Sequence, residues 1–222
     1  MPDTVMMIIA RYRENVSWVH QIGYDYIVYD KGGNASPKSI VLPNVGREAH
    51  TYFTHIVREY ETLAGMNVFL QGDPFDHIDD RGRASVDTLR TQLAEIVERD
   101  VPFKGLAWFK LKCDTLGRPH DLHKPENKGR WAGWGRDIPV GDVFELLFDA
   151  EAPARIVARA PTGNFCVTGE RIRTRPKEFY EYALKLVESD PLDEKNTGHA
   201  IERLWQHIFN GNTAWNKDKY GA

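Results

Sequence analysis

One continuous stretch, residues 43–77, constrains the fold more than any other part of the chain. It consists of a turn at Gly46, an amphipathic helix that ends at Gly65, and an apolar strand over residues 67–71 that leads into an acidic loop. This order is typical of an α/β sheet, where polar residues at the carboxyl ends of the strands form the ligand crevice. We therefore expect an α/β fold with a mostly parallel, doubly wound sheet.

Other segments supply the remaining strands and helices. Residues 4–10 form a nearly continuous apolar run, which suits a central parallel strand, and residues 24–29 are aromatic and β-branched. On the helix after Gly46 we expect an inward apolar stripe and His50 on the polar face. Further strands are expected at 39–42, 105–109, 156–158 and 164–168, and further helices at 85–99, 142–150, 176–188 and 197–209.

Composition excludes several classes of protein. A net charge of −3 argues against a protein that binds nucleic acid by general electrostatic attraction. No apolar run reaches the length of a membrane span. The two cysteines form neither a disulfide framework nor a CxxC zinc pair, which favours a reducing compartment. We expect a cytoplasmic protein whose residues 1–222 form a single domain, with a polar tail at 212–222.

The start of the central helix is a candidate phosphate site. Asn44, Gly46 and Arg47 combine backbone N–H groups, a glycine that permits close approach, and a guanidinium fork. A simple capping turn would have much the same sequence. Arg11 follows the first strand at the same predicted edge of the sheet, where it would contact a base or ribose or else cap a helix.

The acidic loop after the apolar strand is a candidate metal site. Asp73 and Asp76 offer the oxygen ligands that Mg²⁺ or Mn²⁺ prefers, and the buried strand before them would fix their position. The alternative is a solvated loop. Asp76 and Glu202 are also the carboxylates that we expect to act as a general base, although Glu202 could equally tie the last helix to the domain by pairing with a neighbouring arginine.

Residues 110–140 form a segment too long and too aromatic for an ordinary connection. We expect a functional loop that orders as a lid over the site. Trp134 lies between two glycines and is the candidate to stack on a sugar or base, whereas Trp108 is expected to pack onto the domain. The chain has no Walker loop, no GxSxG elbow and no GxGxxG fingerprint.

Several strings resemble an uncharacterised domain-of-unknown-function family over nearly the whole chain. They are IIARYRENVSW, IVYDKG, LPNVGREAHTYFTHIVREY, VFLQGDPFDH, NFCVTGERI and IERLWQHIF. A more distant resemblance is to GT-A glycosyltransferases, in which an Asn-x-Gly turn before a helix is followed by a strand that ends in an Asp-x-Asp metal motif. Asn44 and Gly46 match the turn, whereas the segment at Asp73 has one aspartate where that motif has two.

Together these features predict a glycosyltransferase-like enzyme. It would transfer a sugar from a nucleotide-sugar donor to an unknown hydroxyl acceptor, with Mn²⁺ or Mg²⁺ and Arg47 stabilising the leaving diphosphate. Two alternatives remain open at this point. One is a non-catalytic carbohydrate- or nucleotide-binding module that stacks its ligand on Trp131 and Trp134, and the other is a metal-dependent phosphohydrolase that uses the acidic loop.

Overall fold

The computed structural model describes residues 4–33, 39–118 and 137–210, and these form a mixed α/β fold. A six-stranded sheet has the order β3-β2-β1-β4-β8-β5. Its strands are β1 (Val5–Arg11), β2 (Asp25–Asp30), β3 (Ile40–Val41), β4 (Met66–Gln71), β5 (Phe103–Gly105) and β8 (Phe165–Thr168).

The sheet is mostly parallel, as the apolar segments predict. Strands β3, β2, β1 and β4 are mutually parallel, whereas β8 runs antiparallel to both of its neighbours, β4 and β5. From β1 the chain adds β2 and β3 on one side and then returns to place β4 on the other. The strand order therefore reverses between β1 and β4, and ligands bind outside the carboxyl ends of the strands at such a point in open α/β sheets.

Both faces of the sheet are covered. Successive residues of β1 point to opposite faces, so that Ile8 packs into one apolar core and Met7 and Ile9 into the other, with all three fully buried. The helices are α1 (Arg47–Glu59), α2 (Val86–Glu98), α3 (Val140–Phe148), α4 (Gly169–Ile172), α5 (Lys177–Glu188) and α6 (Thr197–Asn210). The core containing Ile8 is formed with α1, α3, α5 and α6, and the other core with α2.

A second, two-stranded sheet pairs β6 (Leu111–Cys113) with β7 (Ile156–Ala158) in antiparallel fashion. Ser85 caps α2 as predicted, since its hydroxyl accepts a hydrogen bond from the Thr88 N–H at 3.1 Å. Within the described ranges, no helix has the length and apolarity that crossing a bilayer requires.

Two expectations near the end of the sheet were wrong. The predicted strand at 105–109 is instead β5, which ends at Gly105 because its partner β8 begins at Phe165, the residue that faces Gly105. Trp108 does not pack into the domain: it is 57% exposed and contacts Phe109 edge-on at 5.2 Å between ring centroids. Beyond Gly105, the Leu106 N–H donates to the Asn164 carbonyl at 2.9 Å and the Trp108 N–H to the His77 carbonyl at 3.0 Å, while the indole lies at the surface.

His50 is also placed differently from the prediction. It is buried on α1 rather than exposed on a polar face, because α5 packs against that side of the helix and brings Glu188 to 3.5 Å from the ring Nε2. Burial, followed by the nearby Lys31 charge, lowers the pKa of His50 to about 4. The imidazole is therefore neutral at neutral pH and packs as part of the helix interface.

Candidate functional site

A cleft of about 330 Å³ opens at the carboxyl ends of β1, β2 and β4. It lies at the reversal of strand order, and its volume is within the range of ordinary ligand pockets. Three cationic and three anionic side chains line it together with smaller groups. The lining residues are Ala10, Arg11, Tyr12, Glu14, Lys31, Asn44, Arg47, Glu48, Gln71 and Asp73.

Arg11 and Asp30 tie the ends of β1 and β2 together. The Arg11 guanidinium contacts the carboxylate of Asp30, which is fully buried, while Arg11 Nε donates to the Glu14 carbonyl at 2.9 Å. The other Asp30 oxygen accepts the Gly32 N–H at 2.8 Å. Gly32 must lack a side chain, because a Cβ there would lie 1.4 Å from the Tyr12 carbonyl oxygen. Arg11 is therefore held in the cleft wall by a buried partner.

Lys31 is the most unusual group in the cleft. It follows β2 directly and donates its ammonium hydrogens to the carbonyls of Val45 (2.7 Å) and Arg47. Burial lowers the pKa of Lys31 to about 8, and the nearby Glu48 carboxylate opposes this effect in part. An ammonium has three N–H donors. Two point to the turn before α1, which leaves one for a ligand in the cleft.

The loops after β1 and β4 contact each other beside the cleft. Trp18 donates its indole N–H to the Gly72 carbonyl at 3.0 Å, and one oxygen of Glu14 accepts the N–H groups of Tyr12 at 2.7 Å and Arg13 at 3.0 Å. A Cβ on Gly72 would lie 2.7 Å from that Glu14 oxygen. These contacts fix the spacing of the two loops that form the mouth.

The end of β4 is held from the opposite side by the antiparallel strand. The Gln71 N–H donates to Oδ1 of Asn164 at 2.9 Å. Asn164 is fully buried and is oriented by Thr162, whose hydroxyl lies 3.1 Å from the amide nitrogen. The position of Asp73, two residues beyond Gln71, is therefore determined by Asn164, the residue before β8, as well as by β4.

The turn before α1 brings Asn44 and Arg47 into the cleft but turns Gly46 away from it. Gly46 and Arg47 have positive φ values of 57° and 53°. A Cβ at Gly46 would lie 2.0 Å from a methyl carbon of Val187 on α5. Gly46 therefore permits α1 and α5 to pack closely, and it lines a second pocket instead. Of the four donor-binding candidates in the described residues, the cleft unites Arg11, Asn44 and Arg47.

The acidic loop does not have the arrangement that a metal site needs. Arg83 Nη2 lies 2.7 and 2.8 Å from the two oxygens of Asp73, and Arg83 Nη1 lies 2.8 Å from Asp76. The guanidinium thus takes the oxygens that a divalent ion would use, and Asp76 is not part of the cleft lining. Among the described residues, no group of three or more His, Cys, Asp or Glu side chains could hold a metal ion. A metal at Asp73 and Asp76 stays a prediction that requires Arg83 to move.

Glu202 lies outside the cleft lining, on α6. Desolvation, followed by the nearby Glu48 carboxylate, raises the pKa of Glu202 to about 8. The group therefore holds its proton at neutral pH. Glu48 itself lines the cleft and is nearly buried, with 9% of its side chain exposed. The role of Glu202 as a base stays a prediction.

Some candidates lie outside the described residues, and some cleft residues were missed. Trp131 and Trp134 fall in the part of the 110–140 segment that the structure leaves undescribed, so their stacking roles stay predictions. Sequence reasoning passed over Lys31 and Glu48. The available signal for Lys31 was its place directly after β2, at the same edge of the sheet as Arg11.

Comparison with known proteins places the chain in a family without assigning it a function. No curated protein and no solved structure matches the chain. One family model, described as "Protein of unknown function (DUF3431)", matches residues 6–220. This match confirms the resemblance to an uncharacterised family that the sequence strings indicate. The chain therefore belongs to the DUF3431 family.

Proposed function

We propose that the chain is a glycosyltransferase-like enzyme that binds a nucleotide-diphosphate sugar in the cleft at the carboxyl ends of β1, β2 and β4. The observation that carries the proposal is Lys31. It is a part-buried ammonium that donates to two carbonyls at the turn before α1 and lines a cleft at the reversal of strand order. A desolvated cation at that place favours an anionic ligand, and a diphosphate provides two negative charges.

The neighbouring groups support the same ligand. Arg47 adds a planar cationic donor to the Lys31 ammonium, and Arg11 adds positive charge from the cleft wall, where Asp30 holds it. Glu14 and Glu48 stand beside them and offer acceptors for the hydroxyl groups of a ribose or hexose. A cleft lined by both signs of charge suits a ligand that has phosphates at its centre and hydroxyl-bearing rings on both sides.

In the proposed reaction the cations act on the leaving group. As the bond between the anomeric carbon and the diphosphate breaks, negative charge develops on the departing phosphate oxygen. Lys31 and Arg47 are placed to stabilise that charge before the reaction begins, which is how preorganised donors accelerate group transfer. A divalent metal, and a role of Asp76 or Glu202 as the base, stay predictions.

A GT-A-like fold is part of this proposal. Its support is the match of the Asn44–Gly46 turn, the following helix α1 and the strand β4 with its acidic loop to the order of elements in that family. Residues of the first loop and of the α1 turn line the same cleft as Asp73. Fold resemblance by itself does not give an activity, so the ligand must be measured.

The test is calorimetric titration with UDP-glucose, UDP-N-acetylglucosamine and GDP-mannose, followed by an assay for release of the hexose. We expect one donor to bind and Lys31→Met to weaken its binding at least tenfold. That loss corresponds to about 1.4 kcal/mol, at the low end for a charge-assisted hydrogen bond. Lys104→Met is the matched control, since Lys104 is exposed on β5 and lines a different pocket.

The outcomes separate the alternatives. No binding of any nucleotide sugar would overturn the proposal. Binding that is equally strong in the Lys31→Met and Lys104→Met proteins would place the ligand elsewhere. Binding without transfer to any acceptor, or to water, would indicate a non-catalytic binding module. Release of inorganic phosphate from the nucleotide would indicate a phosphohydrolase.

A further inference from the structure

Arg83 occupies the position at the end of β4 where the sequence predicts a metal ion. Its Nη2 lies 2.7 and 2.8 Å from the two oxygens of Asp73, and its Nη1 lies 2.8 Å from Oδ1 of Asp76. Hydrogen bonds between a guanidinium and a carboxylate are charge-assisted, and a divalent ion at Asp73 would have to break both contacts of Nη2 beside a fixed positive charge. The residues present therefore favour the guanidinium over a metal.

The surroundings of Arg83 hold it in place as well. Its guanidinium carbon lies over the Phe75 ring, 5.4 Å from the centroid, which is the arrangement of a cation–π contact. Phe75 is buried and contacts Trp18 edge-on at 5.2 Å. The next residue is also fixed, since the Ala84 N–H donates to the Phe75 carbonyl at 2.9 Å. A side chain that is already ordered loses little further entropy when a ligand binds to it.

Arg83 also keeps N–H donors for a ligand. A guanidinium has five N–H groups. The two on Nη2 face the oxygens of Asp73 and one on Nη1 faces Asp76, which leaves the second Nη1 hydrogen and the Nε hydrogen. Neither makes a hydrogen bond to the residues that the structure describes. The side chain is 53% exposed, so a ligand can approach it.

Asp73 links Arg83 to the donor cleft. Asp73 lines the cleft at the end of β4, whereas Lys31 and Arg47 line it from the end of β2 and the start of α1. Without Arg83, the Asp73 carboxylate would place an unpaired negative charge at the mouth and repel an anionic ligand. The ion pair removes that repulsion and adds a cation on the β4 side of the cleft.

We propose that Arg83 takes the place of a divalent metal, so that the unaltered chain binds the diphosphate of its donor without a metal ion. This inference rests on the proposed function. The guanidinium neutralises Asp73, and its two remaining N–H groups donate to oxygens of the diphosphate. Planar guanidinium donors suit phosphate oxygens, and the guanidinium keeps its proton at every accessible pH. Arg83 thus binds and orients the diphosphate while no proton is exchanged between them.

The experiment is calorimetric titration with the donor in buffer that contains EDTA, and again with Mn²⁺ in excess. The donor is whichever of UDP-glucose, UDP-N-acetylglucosamine and GDP-mannose the unaltered chain binds most tightly. We expect the unaltered chain to bind it with the same dissociation constant in both buffers. Arg83→Ala should bind it at least tenfold more weakly in EDTA, because charge-assisted hydrogen bonds are lost and Asp73 is left unpaired.

Mn²⁺ should reverse the effect of Arg83→Ala. With the guanidinium removed, both Asp73 oxygens are free to bind the ion, so Mn²⁺ should recover about tenfold of donor affinity. Adding Asp73→Asn should abolish that recovery. Arg83→Gln keeps the length of the side chain without its charge, and it should show the same two effects if Arg83→Ala does not fold.

Arg81→Ala is the matched control. Arg81 also pairs with an aspartate, since its Nε and Nη2 donate to the two oxygens of Asp79 at 2.9 and 2.7 Å. It is exposed and does not line the cleft. Arg81→Ala should therefore bind the donor as the unaltered chain does in both buffers.

The results distinguish failure of this inference from failure of the proposed function. Donor binding by the unaltered chain that weakens at least tenfold in EDTA would overturn the role of Arg83 alone. Equal affinity of the unaltered chain and Arg83→Ala in EDTA would do the same, as would a loss in Arg83→Ala that Mn²⁺ does not reverse. No donor binding by the unaltered chain in either buffer would overturn the proposed function, and this inference with it.

Discussion

When a nucleotide sugar binds near pH 8, Lys31 should take up a proton from solution. Burial lowers the pKa of Lys31 from 10.5 to about 8 in the ligand-free chain. At about 1.4 kcal/mol per pH unit, this shift amounts to about 3 kcal/mol of lost solvation that a bound diphosphate would offset. A neighbouring phosphate favours the charged form, so binding raises the pKa and protonates the lysines that were neutral.

The magnitude follows from the position of the pKa. At pH 8 about half of the Lys31 side chains are neutral, so binding should take up about 0.5 proton per ligand, and near pH 6.5 almost none. The ligand contributes nothing to this uptake, because both phosphates of UDP-glucose remain ionised over that range. The same shift affects the stability of the ligand-free chain. Between pH 8 and 10.5 Lys31 is protonated mainly in the unfolded state, so its contribution to the free energy of unfolding rises with pH in that window.

Calorimetry measures this uptake directly. The binding enthalpy of UDP-glucose, or of whichever donor binds, is determined at pH 8 in buffers with different ionisation enthalpies, and the slope gives the number of protons. Lys31→Arg keeps a cation that stays charged at every accessible pH, so it should bind without uptake, and Lys104→Met should behave as the unaltered chain does. Tight binding with an uptake below about 0.1 proton at pH 8 would show that the ligand does not contact Lys31.

Three further predictions concern Arg47, the acidic loop and the turn before α1. Arg47→Lys should weaken donor binding by about 1.5–3 kcal/mol, because an ammonium cannot replace a planar fork, and an unchanged dissociation constant would contradict this. Arg83→Ala should release Asp73 and so strengthen Mn²⁺ binding at least tenfold in calorimetry. Adding Asp73→Asn to the Arg83→Ala protein should abolish Mn²⁺ binding. The absence of Mn²⁺ binding in every variant would rule out the metal site. Gly46→Ala should lower the free energy of unfolding by about 2–4 kcal/mol in urea titration, because the alanine would be forced into the left-handed conformation and its Cβ would also clash with a methyl group of Val187. Gly33→Ala should lower it by only about 1–2 kcal/mol, because Gly33 has a positive φ but open surroundings.

The central part of the sheet was predictable because its signals are local. The apolar runs in the sequences of β1 and β4, and the apolar stripe of α1, directly indicate which residues are buried. Ser85 likewise has a side chain that can cap the first turn of a helix. Arg11, Asn44 and Arg47 meet at one cleft for a related reason. Strands that are parallel present their carboxyl ends at the same edge, so residues that follow them are brought together.

The remaining features depend on partners distant in sequence. The exposure of Trp108 follows from the short length of β8, which lies far along the chain, and the burial of His50 follows from the packing of α5 on α1. The 2.6 Å contact of His199 Nδ1 with Asp193 lies in a loop where Asp193 and Asn196 have positive φ, which no local pattern indicates. The lowered pKa of Lys31 likewise arises from the turn that covers it, rather than from its own surroundings in sequence.

The insertion of β8 beside β4 has a consequence for synthesis of the chain. Met66 pairs with Thr168, and Phe69 pairs with Phe165, so one entire edge of β4 remains open until about a hundred later residues have left the ribosome. During that interval an apolar strand with unpaired backbone groups is a template for pairing with other chains. Contacts of such long sequence separation also form slowly. Nascent chains that end before residue 165 should therefore depend strongly on chaperones, and the yield of soluble protein should increase when translation is slowed and growth temperature lowered.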